Sequence, residues 1–377
     1  MKSRAGQLLD LGQSVWLDFI RRGLLESGEF DTLVRDQGVV GVTSNPTIFE
    51  QAIGKSHDYD DALKRLIGRG LEGRSLFEAL AVEDVSAACD RLRAVAQATG
   101  GRDGRVSIEV SPDLANDTAR TIDEARRLHR EVARDNVMVK VPATAAGLPA
   151  ITTLIAEGIS INVTLIFSLA RYRQVMDAHL AGLERRVAAH EPLGTLRSVA
   201  SFFVSRVDTK VDNAIQARLA TLPAGAPERA ELEAALGQVA VANARLAYAA
   251  FEDMVASPRW RALAERGAHV QRPLWASTGT KNPAYSDVLY VEELIGSDTV
   301  NTMPPATLAA FNDHGVVESR IGHDLDGARR LFERLPALGI PVGSLIDQLE
   351  PEGVAAFEKS FQQLLATLAT RHREFAA

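Results

Sequence analysis

The sequence predicts an α/β fold, a (β/α)8 TIM barrel with additional helices and a C-terminal helical extension. Three observations point there. Short runs rich in β-branched residues alternate with stretches of helical periodicity along most of the chain, which is the pattern of parallel strands joined by helices. Eight such runs can be counted, at residues 15–20, 39–44, 106–110, 137–141, 160–165, 198–204, 273–277 and 299–303. Nearly every run carries a polar residue within it or just after it, where a purely structural strand would hold Val or Ile, and barrel enzymes place their catalytic groups at the C-terminal ends of strands and in the loops that follow.

Taken in order, the first run contains Asp18, and the second leads through Thr43 into Asn45-Pro46, a turn signal. A doubled helical stretch fills residues 47–100. The third run contains Glu109. Behind it Ala119, Ile122, Ala125, Leu128 and Val132 recur every three or four residues, which places them on one helix face. The fourth run, Val137-Met138-Val139-Lys140-Val141-Pro142, has Lys140 in its middle and Thr144 beyond it; the fifth has Asn162 and Thr164; the sixth has Ser201 and Phe203, with Arg206 next. A long helical segment at 208–257 is interrupted by a Pro- and Gly-containing loop at 221–227. The seventh run ends on Ser277, with Lys281 in the following loop, and the eighth contains Asn301.

Such barrels typically take ~250 residues, and this chain has 377. Part of the surplus is an extension from about residue 316. Its Val354, Phe357, Phe361, Leu364, Leu365 and Leu368 form an apolar helix face suited to capping the barrel. No repeat, low-complexity tract or linker divides the chain, so residues 1–377 are expected to form a single domain.

Composition narrows the function. With 46% hydrophobic and 24% charged residues the chain reads as an ordinary globular protein. A net charge of −7 argues against nucleic acid as its partner, because phosphate backbones are bound through clustered positive charge. The single cysteine, Cys89, allows no internal disulfide and reads as a small buried side chain. The N-terminus lacks a signal-peptide apolar core, and no stretch approaches the ~18 apolar residues of a membrane span. A cytoplasmic location without a membrane partner is expected. So is activity without metal or cofactor, since clustered His/Cys spacing and a glycine-rich dinucleotide fingerprint are both missing.

Lys140 is the only lysine in any predicted strand. The plain reading is a packed stem whose head reaches water or a carboxylate. The chemical reading is a nucleophile: apolar surroundings in general disfavour ammonium ions, and the neutral amine is the form that attacks carbonyls to make Schiff bases. That chemistry needs acid–base groups to expel water from the carbinolamine and a base for carbon–carbon cleavage, posts that Glu109 and Asp18 can fill. Asn45, Asn162, Thr164 and Ser201 suit a polyhydroxylated substrate, although barrel polarity or turn chemistry would also explain them. Arg206 can pair with a phosphate or sit in an ordinary salt bridge.

Gly41-Val42-Thr43-Ser44-Asn45-Pro46-Thr47, Val137 to Thr144 (VMVKVPAT), Ile161 to Ser168 (INVTLIFS) and Val204-Ser205-Arg206-Val207-Asp208 resemble the signature segments of the transaldolases, in matching order from about residue 9 to about 310. Length and the 275–282 segment resemble the long bacterial subgroup. The resemblance implies a cofactor-independent barrel enzyme of the pentose phosphate pathway. Such an enzyme moves a dihydroxyacetone unit from sedoheptulose 7-phosphate to glyceraldehyde 3-phosphate, giving erythrose 4-phosphate and fructose 6-phosphate, as a monomer or homodimer. It further implies that Lys140 forms the Schiff base, that Glu109 works through a water with Thr164, and that Asp18 is the base for cleavage. Asn45 and Asn162 would hold the dihydroxyacetone hydroxyls and the enamine, with Ser201 in the same pocket, and Arg206 and Ser277 would grip the phosphate. One departure is Ala276-Ser277-Thr278-Gly279-Thr280-Lys281, where many members have Ala-Ser-aromatic-Arg, so the second phosphate cation is Lys281 at shifted spacing. Two rivals stay open. A fructose 6-phosphate aldolase would release free dihydroxyacetone, but such aldolases resemble this chain with a tyrosine at the position of Phe203. A non-catalytic phosphosugar-binding barrel would not need Lys140, Glu109 and Asp18.

Overall fold

The structure, a computed structural model, describes residues 2–376. Eight parallel strands close into a barrel in sequence order: β1 (Gln13–Leu17), β2 (Val39–Val42), β3 (Arg105–Glu109), β4 (Val137–Pro142), β5 (Ile161–Ile166), β6 (Ser198–Phe203), β7 (Gln271–Ala276) and β8 (Thr299–Met303). Each matches one of the eight sequence-predicted runs, with ends shifted by at most three residues. Two shifts matter. β1 starts and stops earlier than expected, so Asp18 lies just past the strand, its N–H donating to the Met303 carbonyl at 2.8 Å. β7 runs two residues further back than Pro273, where the missing proline donor suggests an end; Gln271 and Arg272 instead pair with Ser198 and Val199 of β6.

Alternation along the strands sends every second side chain into the barrel. Trp16 of β1 faces Gly41 of β2, with which it is in register, and a Cβ on Gly41 would lie 2.5 Å from the indole nitrogen. The glycine is therefore what lets the indole fill the barrel interior. Below it, at the N-terminal ends of the strands, Arg272 donates to Ser14 Oγ at 2.7 Å and pairs with Asp103 at 3.0 Å, both ionic side chains being almost fully buried. Above it, toward the C-terminal ends, the inward positions turn polar.

The helices follow the predicted periods. The helix Thr118–Val132 is N-capped by the Asp117 carboxylate, which accepts from Arg120 N–H. Its buried stripe is Thr121, Ala125, Leu128 and Val132, whereas the expected Ala119 lies outside it, exposed. Residues 205–256 form three helices, Ser205–Thr221, Glu228–Ala235 and Val239–Ala256, with the predicted loop between the first two. Cys89 is buried, and burial pushes its thiol up to about 12. Among the described residues no helix is long and apolar enough to cross a membrane.

The extension ends in the helix Leu349–Ala376. It buries Val354, Phe357, Phe361, Leu364 and Leu368, with Leu365 packed at the edge, and lies against the helix Pro46–Gly54 that follows β2. Polar contacts fasten it along its length: Thr47 Oγ1 donates to Ser360 Oγ at 2.8 Å, Arg171 pairs with Glu350 at 2.9 Å, and Lys210–Glu352 and Arg371–Asp60 add two more ion pairs.

The floor pair gives a stability prediction. Removing one partner of a buried ion pair strands the other charge, at a cost of about 3–5 kcal/mol. Asp103→Ala is expected to lower the free energy of unfolding by that amount, and adding Arg272→Met to recover much of the loss. A single variant as stable as wild type would show that the Arg272 charge is compensated elsewhere.

Candidate active site

At the C-terminal ends of the strands a cavity of about 330 Å³ is lined by Asp18, Thr43, Asn45, Lys140, Thr164, Ser201, Phe203, Arg206, Ser277 and Lys281. These come from six of the eight strands and the loops after them. Thr302 of β8 and Phe357 of the C-terminal helix complete the wall.

Lys140 sits on β4 in register with Glu109 of β3 and Asn162 of β5. Its Nζ lies 3.0 Å from Glu109 Oε2 and donates to the Ser44 carbonyl at 3.0 Å, with the two side chains 5% and 7% exposed. Burial pushes the Glu109 carboxyl above its ordinary range, against the charge of Lys140. Glu109 Oε2 accepts no aligned hydrogen bond, and Thr164 Oγ1, fully buried, has no partner either. Buried polar atoms are rarely left so. Two hydrogen-bonding groups thus keep unspent capacity around the lysine.

Asp18 Oδ1 accepts from Thr43 Oγ1 at 2.7 Å, and Thr43 is in turn 2.7 Å from Thr302 Oγ1. Since the single Thr43 proton goes to the carboxylate, Thr302 is the donor of the second bond. Burial pushes the Asp18 carboxyl above its ordinary value, opposed by the Thr43 hydrogen bond and the positive charges of Lys140, Lys281 and Arg206. It therefore sits in a cavity that resists its ionisation while cations around the rim favour it.

The neutral groups form a fixed chain. Ser201 Oγ donates to Asn162 Oδ1 at 2.7 Å, and Asn162 Nδ2 donates to Ser107 Oγ at 3.0 Å, which locks the asparagine amide on the barrel wall. Asn45 caps the helix Pro46–Gly54, its Oδ1 accepting from Ile48 N–H at 2.9 Å, with Pro46 in the first turn. Capping leaves its Nδ2 without a bond among the described residues. Thr164 precedes a β-bulge in which Leu165 has φ 60°, and Ser277 has φ 58°. Left-handed backbone at non-glycine residues costs of order 1–3 kcal/mol and clusters at functional sites. Ser277 Oγ is 2.9 Å from Ser205 Oγ, beside Arg206. Arg206 has no hydrogen bond or ion pair among the described residues, and neither has exposed Lys281 across the cavity.

The structure brings all the sequence-predicted site residues to this end of the barrel, although two of them do not line the cavity: Glu109 reaches it through Lys140, and Asn162 through Ser201. Two other polar residues read from the strands have structural duties. Thr144 donates to the Ala115 carbonyl and accepts from Gly147 N–H, which closes the turn after β4. Asn301 turns away from the cavity and accepts from Thr278 Oγ1 at 2.9 Å; its neighbour Thr302 faces inward, as alternation along β8 could have shown. Phe357 carries no sequence signal for the site beyond its place on an apolar helix face.

Comparison with known proteins gives consistent matches. The family model described as transaldolase/fructose-6-phosphate aldolase matches residues 15–368. The chain is 52% identical over 366 residues to transaldolase 1 of Streptomyces coelicolor, covering 96% of this chain and 93% of that one. It is 51% identical over 371 residues to the transaldolase of Thermobifida fusca, covering 98% of both, and 46% identical over 364 residues to transaldolase 2 of Nostoc sp., covering 96% of both.

The Asp18 environment has a measurable consequence. A carboxyl whose value is raised in the fold contributes stability that is fully present below its unfolded value of 3.8 and is lost as pH rises through the raised one. Asp18→Asn keeps an acceptor for Thr43 and removes the buried charge. Its stability advantage over wild type is expected to widen as pH rises above 3.8; a gap that stays constant or reverses would show that the surrounding cations outweigh burial.

Proposed function

Because this chain belongs to the transaldolase/fructose-6-phosphate aldolase family, we propose that it transfers a dihydroxyacetone unit through a Schiff base on Lys140. It works in the pentose phosphate pathway as a transaldolase, taking the unit from sedoheptulose 7-phosphate to glyceraldehyde 3-phosphate and releasing erythrose 4-phosphate and fructose 6-phosphate. The observation that carries the residue assignment is the buried Lys140–Glu109 pair at 3.0 Å, in a strand that is otherwise apolar.

In the proposed sequence Glu109 takes a proton from Lys140, and the neutral amine attacks the ketose carbonyl. The protonated Glu109, favoured by burial, returns that proton to the carbinolamine hydroxyl as water leaves, with Thr164 as the second hydrogen-bonding group. Asp18 then removes the proton of the hydroxyl on the far side of the scissile carbon–carbon bond; the bond's electrons move into the imine, and the aldehyde departs. Asn45 and Asn162, with Ser201 lining the same pocket, hold the enamine and its hydroxyls until the second aldehyde adds and the steps reverse. Arg206, Ser277 and Lys281 grip the phosphate.

Phe203 favours transfer over release of free dihydroxyacetone. Its ring packs on Phe167 with centroids 5.1 Å apart and has no hydroxyl to orient a water toward the enamine carbon. The reading also carries a cytoplasmic location, one functional domain over residues 1–377, and a monomer or homodimer.

A coupled assay tests this function: with sedoheptulose 7-phosphate alone product should not accumulate beyond a single turnover, and glyceraldehyde 3-phosphate should restore steady transfer. Sustained release of dihydroxyacetone without acceptor would make the protein an aldolase instead. Lys140→Ala should fold but not turn over. For the phosphate grip, Arg206→Ala and Lys281→Ala should each lower kcat/KM for fructose 6-phosphate by roughly ten- to a hundredfold, Arg206 more, and leave unphosphorylated fructose unaffected. Equal losses on both sugars would remove Lys281 from the phosphate site.

A further inference from the structure

Arg206 is an unusual arginine. It lies in the first turn of the helix Ser205–Thr221, partly buried, with no carboxylate or carbonyl bonded to its guanidinium among the described residues. Its contacts are aromatic: the guanidinium carbon is 5.2 Å from the Phe203 ring centroid and 5.8 Å from that of Phe357. Phe203 belongs to the barrel, but Phe357 comes from the C-terminal helix, 154 residues further along the chain. Both rings are buried, at 6% and 4% exposure.

A guanidinium resting on ring faces keeps its in-plane N–H groups free, whereas a carboxylate partner would occupy them. The alternative partner shares the site, because Asp18 lines the same cavity and its charge acts on Arg206. Collapse onto Asp18 would disable both the proposed phosphate grip and the proposed base. Phe357 is held where it can prevent this. Lys210, one turn beyond Arg206 on the same helix, pairs with Glu352, and Thr47 Oγ1 donates to Ser360 Oγ at 2.8 Å, so ties fall on both sides of Phe357 along its helix.

We propose that Phe357 is a positioning residue for phosphate recognition, holding Arg206 with Phe203 so that the guanidinium fork faces the cavity rather than Asp18. The C-terminal helix thereby sets the preference for ketoses that end in a phosphate monoester over their unphosphorylated counterparts. This deepens the phosphoketose reading and rests on it.

The test uses the full chain with Phe357→Leu, which keeps an apolar side chain but removes the ring face, and Phe357→Tyr, which keeps the face. Kinetics are measured with fructose 6-phosphate and with fructose as donors, and affinity for inorganic phosphate is measured by calorimetry. Phe357→Leu is expected to raise KM for fructose 6-phosphate and the phosphate dissociation constant by about threefold to thirtyfold, the range of a partly desolvated cation–π contact. It should leave kcat and the efficiency with fructose near wild type, and Phe357→Tyr should behave as wild type. Unchanged phosphate affinity in Phe357→Leu, or equal losses with both donors, would overturn the proposal and reduce Phe357 to packing. A wild-type enzyme that binds phosphate but does not turn over fructose 6-phosphate would fault the proposed function, and the calorimetry would still decide the role of Phe357.

Discussion

The site depends on one contact, the buried pair between Lys140 and Glu109. Two charges taken out of water cost several kcal/mol each, and their attraction offsets that only when geometry and further hydrogen bonds are good. Here the geometry comes from the barrel: β3 and β4 are hydrogen-bonded in register with Glu109 opposite Lys140, and the Ser44 carbonyl at the end of β2 takes a lysine proton. Among the described residues Glu109 Oε2 has Lys140 Nζ 3.0 Å away and no other side-chain partner. That leaves the carboxylate placed to exchange a proton with the lysine, as the proposed mechanism requires.

The rest of the molecule divides by height along the barrel axis. The floor holds the Arg272–Asp103 pair and the interior is filled by Trp16. The mouth holds two of the non-glycine residues with positive φ, Leu165 at 60° in the β5 irregularity and Ser277 at 58°, together with a Thr164 hydroxyl that has no partner among the described residues. Each of the two adjoins a proposed substrate-binding group, Thr164 on one side and the Ser277 hydroxyl itself on the other.

Much of this was legible in the chain. The eight strands showed through their β-branched runs, and Lys140 stood out because a charge in an apolar strand needs an explanation. Glu109, Asn162, Thr164 and Ser201 followed from their places at strand ends, and the transaldolase-like segments tied them together. What stayed hidden depends on contacts between distant parts of the chain. Thr144 looks like a site residue until the carbonyl of Ala115 is seen to take its proton. Phe357 shows only an apolar helix face, and its position over Arg206 is set by how the C-terminal helix crosses the barrel mouth.

The most direct test of the account is to trap the intermediate. Wild-type protein is incubated with fructose 6-phosphate, reduced with borohydride, digested and mapped by mass spectrometry. The account predicts one peptide with a dihydroxyacetone adduct, the one containing Lys140 within Val137–Pro142. An adduct on any other lysine, or none under conditions of active turnover, would contradict it.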